Sequence, residues 1–317
     1  MSDKAGSVKA GSAGAAPGPV AAAVAAPAWA SPRVQGLAMV LATACSWGFN
    51  WPVTKFLLSE LPPFAMRTLC CWLGAALCFA IARRRREALW PPRDQWGRLA
   101  LFAACNFGAF TILTTLSLVW LPASEAVILT YTLPIWAVGF AWPMLGERPT
   151  VARLVAIALG LGGIAVLVGA NPLSTERGQL PGVACGLAAA AVFGFGTVIA
   201  KRAPLRMPPV AGVGWQAVLG TLPVALLALG EHPRWAGVTA LGWGGIFYVA
   251  VLPMSLAYLA WFRGLRLLPA ATAATAVLLA PVIGVFASGF MLGEPVGLRQ
   301  VGALAMTLGG VALAARG

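Results

Sequence analysis

The chain has 317 residues, of which 60% are hydrophobic and only 10% charged, with 22 Lys and Arg against 9 Asp and Glu. Soluble domains run at roughly 45–50% apolar and about 25% charged, so this composition excludes a soluble enzyme, a disulfide scaffold or a disordered chain and points to a membrane protein. The net charge of +13 then reads as an orientation signal, because basic residues are retained on the cytoplasmic side, and not as a nucleic-acid footprint.

Residues 1–31 are dominated by Ala, Gly, Pro and Ser, with Lys4 and Lys9. Such a segment buries too little apolar surface to order itself, so we expect a disordered cytoplasmic tail. Its end, Pro27, Ala28, Trp29 and Ala30, faintly resembles a signal-peptide cleavage site; the flexible extension is the preferred reading. Apolar runs then recur near 34–58, 63–82, 98–120, 124–145, 151–170, 181–201, 209–229, 238–262, 271–292 and 298–315. Each approaches or exceeds the ~20 residues that cross a bilayer as a helix. The expected fold class is therefore all-α and polytopic, with ten transmembrane helices and no sizeable extramembrane domain.

Basic residues set the orientation. With the amino terminus inside, Lys4, Lys9, Arg33, Arg83–Arg86, Arg93, Arg98, Arg148, Arg153, Lys201, Arg202, Arg206, Arg263, Arg266 and Arg316 are cytoplasmic, and only Arg177, Arg234 and Arg299 are outside. That is 17 against 3, which supports the helix count and places both termini in the cytoplasm. The six cysteines (Cys45, Cys70, Cys71, Cys78, Cys105 and Cys185) all fall within spans and read as small apolar residues, not as a metal or disulfide framework.

An internal repeat is the most informative pattern. Leu121-Pro122-Ala123 matches Leu268-Pro269-Ala270, Pro134 matches Pro281, and Met144-Leu145-Gly146-Glu147 matches Met291-Leu292-Gly293-Glu294. Between 118 and 165, 17 of 48 residues equal their partners 147 positions on. Earlier helices repeat at 146: Gly48-Phe49 with Gly194-Phe195, Lys55 with Lys201, Pro62-Pro63 with Pro208-Pro209, and Leu73-Gly74 with Leu219-Gly220. The units are 33–172 and 180–317, with five helices each. An odd number inverts the second unit relative to the first, an arrangement of secondary transporters that bind solute near the midplane.

Catalytic groups are scarce. His232 is the one histidine, and no Cys cluster, carboxylate pair within a span or phosphate-cradling glycine loop occurs. We therefore expect no enzyme activity, no metal and no cofactor. Intramembrane charge is nearly absent; Arg67 is the one candidate, and snorkelling to the outer interface is its preferred reading. Lys55 and Lys201 read as interfacial anchors. Glu147 and Glu294 follow helix-ending glycines on opposite membrane faces, so each is expected to accept hydrogen bonds from backbone or loop donors, with a gating role as the alternative. Glu125 is expected to cap the start of its helix.

Pro134 and Pro281 stand at mid-span, where proline removes a backbone hydrogen bond and bends the helix; as repeat partners they are candidate hinges. At the same depth lie the candidate substrate-binding residues Trp47, Asn50, Asn106, Thr111, Tyr131, Thr197, Ser255 and Tyr258. Aromatic walls with uncharged polar groups suit a neutral or zwitterionic, partly apolar solute better than a polyanion.

Taken in order, Trp47-Gly48-Phe49-Asn50, Leu121-Pro122-Ala123, Pro134, Leu145-Gly146-Glu147-Arg148, the Gly160–Gly163 helix, Tyr258, Leu268-Pro269-Ala270, Pro281 and Leu292-Gly293-Glu294 resemble the EamA family of the drug/metabolite transporter superfamily. The likeness is greatest to bacterial exporters of aromatic and other amino acids and metabolites. It implies ten helices around a central cavity that opens alternately to either side, with a small-molecule substrate, a lipid surround and one chain sufficing. Gly196 stands where the second unit would mirror Asn50, which puts a symmetric site in doubt. A phosphorylated-sugar or nucleotide-sugar exchanger of the same superfamily is the alternative, with a membrane lipid enzyme more remote.

Overall fold

The computed structural model describes residues 31–146, 150–169 and 178–314; the tail lies outside them. In the first unit α1 (Pro32–Glu60) and α2 (Pro63–Arg84) are followed by α3 (Trp96–Phe102), which runs through a π-helical turn, Ala103–Ala109, into α4 (Phe110–Trp120). Then come α5 (Ala123–Thr130), α6 (Leu133–Leu145) and α7 (Val151–Gly169). The second unit holds α8 (Leu180–Arg202), α9 (Pro209–Ala228) and α10 (Ala240–Val251), which passes through a second π-helical turn, Leu252–Leu256, into α11 (Ala257–Leu267). It ends with α12 (Ala270–Val277), α13 (Leu279–Leu292) and α14 (Leu298–Ala314). No strand occurs among the described residues.

Among the described residues, six stretches are long and apolar enough to cross a membrane: Pro63–Arg84, Arg93–Trp120, Ala123–Leu145, Leu180–Arg202, Pro209–Ala228 and Ala240–Leu267. Leu154–Leu167, Leu279–Leu292 and Leu298–Leu313 are apolar but shorter, and α1 is the longest helix at 29 residues. The chain is a multi-pass membrane protein.

Local sequence explains the ends. Proline pairs open α2 and α9, where a fixed φ is already helical and the missing N–H has no partner to lose. Gly146 (φ 73°) closes α6 and Gly293 (φ 67°) closes α13, in the left-handed conformation that glycine takes without steric cost.

The two helices that carry the candidate hinge prolines are broken, not merely bent. α5 ends at Thr130 and α12 at Val277, each four residues before its proline, Pro134 and Pro281. That is the carbonyl a proline ring clashes with. The Thr132 hydroxyl donates to Leu129 O at 2.6 Å, satisfying a carbonyl near the first break. Proline alone does not decide the outcome, since Pro52, Pro143 and Pro223 lie inside unbroken helices. Nor are the third and eighth spans purely α-helical as expected. Ala103–Ala109, advanced by the repeat offset of 147, becomes 250–256 and overlaps the second π-helical turn. The two units thus share a distortion that periodicity did not reveal.

The units interlock through contacts that come in pairs. α2 packs on α9 and α7 on α14, each helix against its own repeat partner. α1 against α13 and α11 is mirrored by α8 against α6 and α4. Backbones meet closely at these seams: a Cβ on Gly108 would lie 2.3 Å from Gly220 O, and one on Gly220 2.4 Å from Ala103 O. On the α7–α14 seam the repeat partners Gly163 and Gly310 would bring a Cβ within 2.9 Å of Ala303 O and 2.7 Å of Ala156 O. The largest buried cluster, around Trp51, Leu118, Val127, Ile128, Leu129 and Val285, joins α1, α4, α5 and α13.

Candidate substrate cavity

A small, partly open cavity of about 40 Å³ is lined by Asn50, Trp51, Arg67, Phe110, Thr111, Thr114 and Leu118 of the first unit and Met254 of the second. The walls come from α1, α2, α4 and the second π-helical turn. Arg67 is only 3% exposed, so it does not snorkel to an interface. It shares the buried stripe of α2 with Cys70, Cys71, Gly74 and Cys78, a spacing of three and four that turns this face into the protein. Its Nε donates to Thr115 Oγ1 at 2.7 Å, and that hydroxyl donates on to Thr111 O at 2.7 Å. Among the described residues it forms no ion pair; the pairs present are Arg206–Asp94 and Arg299–Glu125.

A larger, open vestibule of about 550 Å³ lies at the end of the bundle where α1 turns into α2, with Lys55, Glu60, Leu118, His232 and Arg234 among its walls. Leu118, 1% exposed, belongs to both spaces and separates them. Lys55 is more than an interfacial anchor, because its Nζ donates to the carbonyls of Leu118 (2.5 Å) and Leu121 (3.0 Å) and so binds the carboxyl end of α4, where a cation is favoured.

Of the expected site residues, Asn50 and Thr111 line the small cavity. Tyr131 sits at the α5–α6 break with its ring 6.4 Å from Trp51. Trp47 and Tyr258 are together, ring centroids 5.5 Å apart, and Trp47 Nε1 donates to Pro253 O at 3.3 Å. The other three are elsewhere. Thr197 is exposed and its hydroxyl donates to Phe193 O on its own helix; the interior face of α8 at that level belongs to Gly194 and Gly196. Ser255 is fully buried against α2, its hydroxyl shared between Gly74 O (2.9 Å) and Ala250 O (2.8 Å). Asn106 packs on Gly196: a Cβ there would fall 1.9 Å from Asn106 Oδ1, an oxygen that is buried without a hydrogen-bond partner among the described residues. This explains why the position mirroring Asn50 holds glycine.

The carboxylates also find roles. Glu294 accepts from Ala123 N (2.6 Å) and Ser124 N (2.9 Å), the free amides at the start of α5. Glu147 lies outside the described residues. Glu125 does not cap its helix as expected; Pro122 O takes the Glu125 and Ala126 amides, which leaves the Glu125 carboxylate to Arg299 of α14. Sequence reasoning passed over Trp51, Phe110, Thr114, Thr115 and Met254, although Thr111, Thr114 and Thr115 at i, i+3 and i+4 spell a polar stripe on one helix face. It also gave no role to Glu231, which accepts from Phe64 N (3.2 Å) and Ala65 N (2.7 Å), or to Glu60, which accepts from Thr239 N (3.0 Å) and Thr239 Oγ1 (2.6 Å).

Known proteins match this architecture. The EamA-like transporter family matches residues 34–169 and again 180–316. The chain is 26% identical over 287 residues to the uncharacterized transporter YvbV of Bacillus subtilis (strain 168), covering 89% of this chain and 92% of that one. It is 25% identical over 282 residues to a probable amino-acid metabolite efflux pump of Salmonella typhimurium, covering 86% and 92%. A solved crystal structure shares the fold, with a TM-score of 0.64 at 20% identity over 89% of this chain and 96% of that chain. With the family matched twice, over residues 34–169 and 180–316, the chain belongs to the EamA-like transporter family.

Proposed function

We propose that the protein is a secondary transporter that exports amino acids or related small organic metabolites across the inner membrane. Its ten spans form two inverted sets of five, with both termini cytoplasmic, and they open a central cavity alternately to the two sides. The observation that carries this reading is the small cavity between the first unit and Met254 of the second, which adjoins a wide, open vestibule at Leu118. A narrow inner space that meets a wide mouth on one side is what alternating access requires of one of its states. The paired exchange of helices across the seam supports the inverted arrangement, and the likeness to an amino-acid metabolite efflux pump supports the cargo.

The helix breaks ahead of Pro134 and Pro281 are the hinges, since each leaves a short segment that can tilt without disturbing the packed α6 or α13. Among the described residues no carboxylate lines the small cavity, which favours facilitated diffusion or exchange over proton coupling through a buried acid. One chain supplies every wall, so a monomer suffices. Purified protein in liposomes loaded with a panel of labelled amino acids, with and without a pH gradient, tests the proposal. Saturable efflux of at least one amino acid, independent of the gradient, is expected. No movement of any amino acid would overturn the assignment of cargo.

A further inference from the structure

We propose that Arg67 is a carboxylate-recognition residue: the solute carries a carboxylate that enters this cavity and pairs with the guanidinium. The inference rests on the transport reading above and names the chemistry of the cargo. A buried guanidinium held away from water is costly unless a counter-charge meets it. None of the described acids does so. Of its five N–H donors, only Nε is engaged, by Thr115, which leaves the Nη edge for the cavity that Arg67 lines.

The other polar groups there complete the same pattern. The Thr114 hydroxyl is turned to the carbonyls of Phe110 and Thr111. Asn50 accepts from Thr54 through Oδ1 at 3.4 Å, so its amide hydrogens remain to be donated. The cavity thus offers donors and one fixed positive charge, the complement of a planar acceptor, and guanidinium takes a carboxylate in two parallel hydrogen bonds. About 40 Å³ is room for one such group, and a single cation does not neutralise a polyphosphate. The vestibule beyond Leu118 carries Lys55, His232 and Arg234. Lys55 and Arg234 outnumber its one acid, Glu60, whose oxygens accept from Thr239, so the fixed charges lining the vestibule favour an anionic group.

Arg67→Gln and Arg67→Lys, reconstituted beside the unsubstituted protein, are assayed with labelled phenylalanine and phenylalaninamide. In parallel, the melting temperature in detergent is followed with phenylacetate, phenylphosphate and phenethylamine. The unsubstituted protein is expected to prefer phenylalanine over its amide by at least tenfold. Arg67→Gln should bring that ratio near one and abolish the stabilisation by phenylacetate, and Arg67→Lys should keep part of both. A purely structural arginine would alter folding without altering the acid-to-amide ratio. An Arg67→Gln protein that melts like the original and retains both the ratio and the phenylacetate shift overturns the proposal; so does a larger shift with phenylphosphate than with phenylacetate. Should Arg67→Gln not fold, retention by Arg67→Lys of the acid preference at raised KM supports the site, and an unchanged KM overturns it. If the unsubstituted protein moves no amino acid, the cargo assignment fails, and the phenylacetate shift alone decides on Arg67: its presence in the unsubstituted protein and loss in Arg67→Gln support the site, and its absence overturns it.

Discussion

Removing the Glu294 carboxylate tests how the start of α5 is held. Pro122 occupies the N-cap position and has no side-chain acceptor to offer. Its carbonyl satisfies the amides of Glu125 and Ala126, so Ala123 N and Ser124 N depend on Glu294, at 2.6 and 2.9 Å. Hydrogen bonds to a charged group contribute about 1.5–3 kcal/mol each, but the two share one carboxylate that is only partly buried, and water can reach part of what is lost. We therefore expect Glu294→Ala to cost about 1.5–2 kcal/mol, the upper part of the range for lost helix caps. Glu294→Gln should cost about half as much, because the amide oxygen still accepts one bond. Equilibrium unfolding in mixed detergent micelles measures both. A loss below about 0.5 kcal/mol for the alanine variant, or equal losses for the two, would show that these amides are satisfied some other way and that the helix start needs no partner from the opposite unit.

Gly220→Val should destabilise by at least about 1–3 kcal/mol, since a Cβ there meets the backbone at Ala103 O (2.4 Å) and Gly108 N (2.7 Å) and no side chain can move aside; melting temperature and elution profile report it, and a stable protein would refute the close approach. Gly196→Ala should cost about 1–3 kcal/mol through collision with Asn106, and Asn106→Ala should restore most of it in a double-mutant cycle, whereas additive losses would mean the two do not compete for space. Pro134→Ala or Pro281→Ala should let the broken helices join, raising or preserving the melting temperature while slowing efflux severalfold; efflux at the original rate would remove both prolines from the hinge.

How much of this was legible depended on whether the signal was local. Helix starts at the Pro62-Pro63 and Pro208-Pro209 pairs and stops at Gly146 and Gly293 follow from backbone rules that act within a few residues. The duplicated motifs were equally plain. The cavity was legible only in part. Asn50 and Thr111 lie on the helix faces turned to it, but Thr197 and Ser255 sit at similar depth on faces turned elsewhere, and depth along a span does not fix rotation about it. Arg67 was misplaced for a related reason: an arginine five residues into a helix reaches an interface only if its face is not the buried one.

Composition, charge bias and repetition determined on their own that the chain is a helical membrane protein of two related units, because burial in lipid and the need for internal hydrogen bonding leave few other solutions. Only the tertiary structure decided that Pro52, Pro143 and Pro223 leave their helices unbroken and where the π-helical turns fall. It alone decided too that Glu294 reaches across to α5 and that Arg67 faces a small cavity without an acid beside it. Glu294 and the α5 amides come from opposite units, more than a hundred residues apart, and the Arg67 cavity joins α1, α2 and α4 to Met254; no pattern within a single helix encodes which partner its neighbour will present.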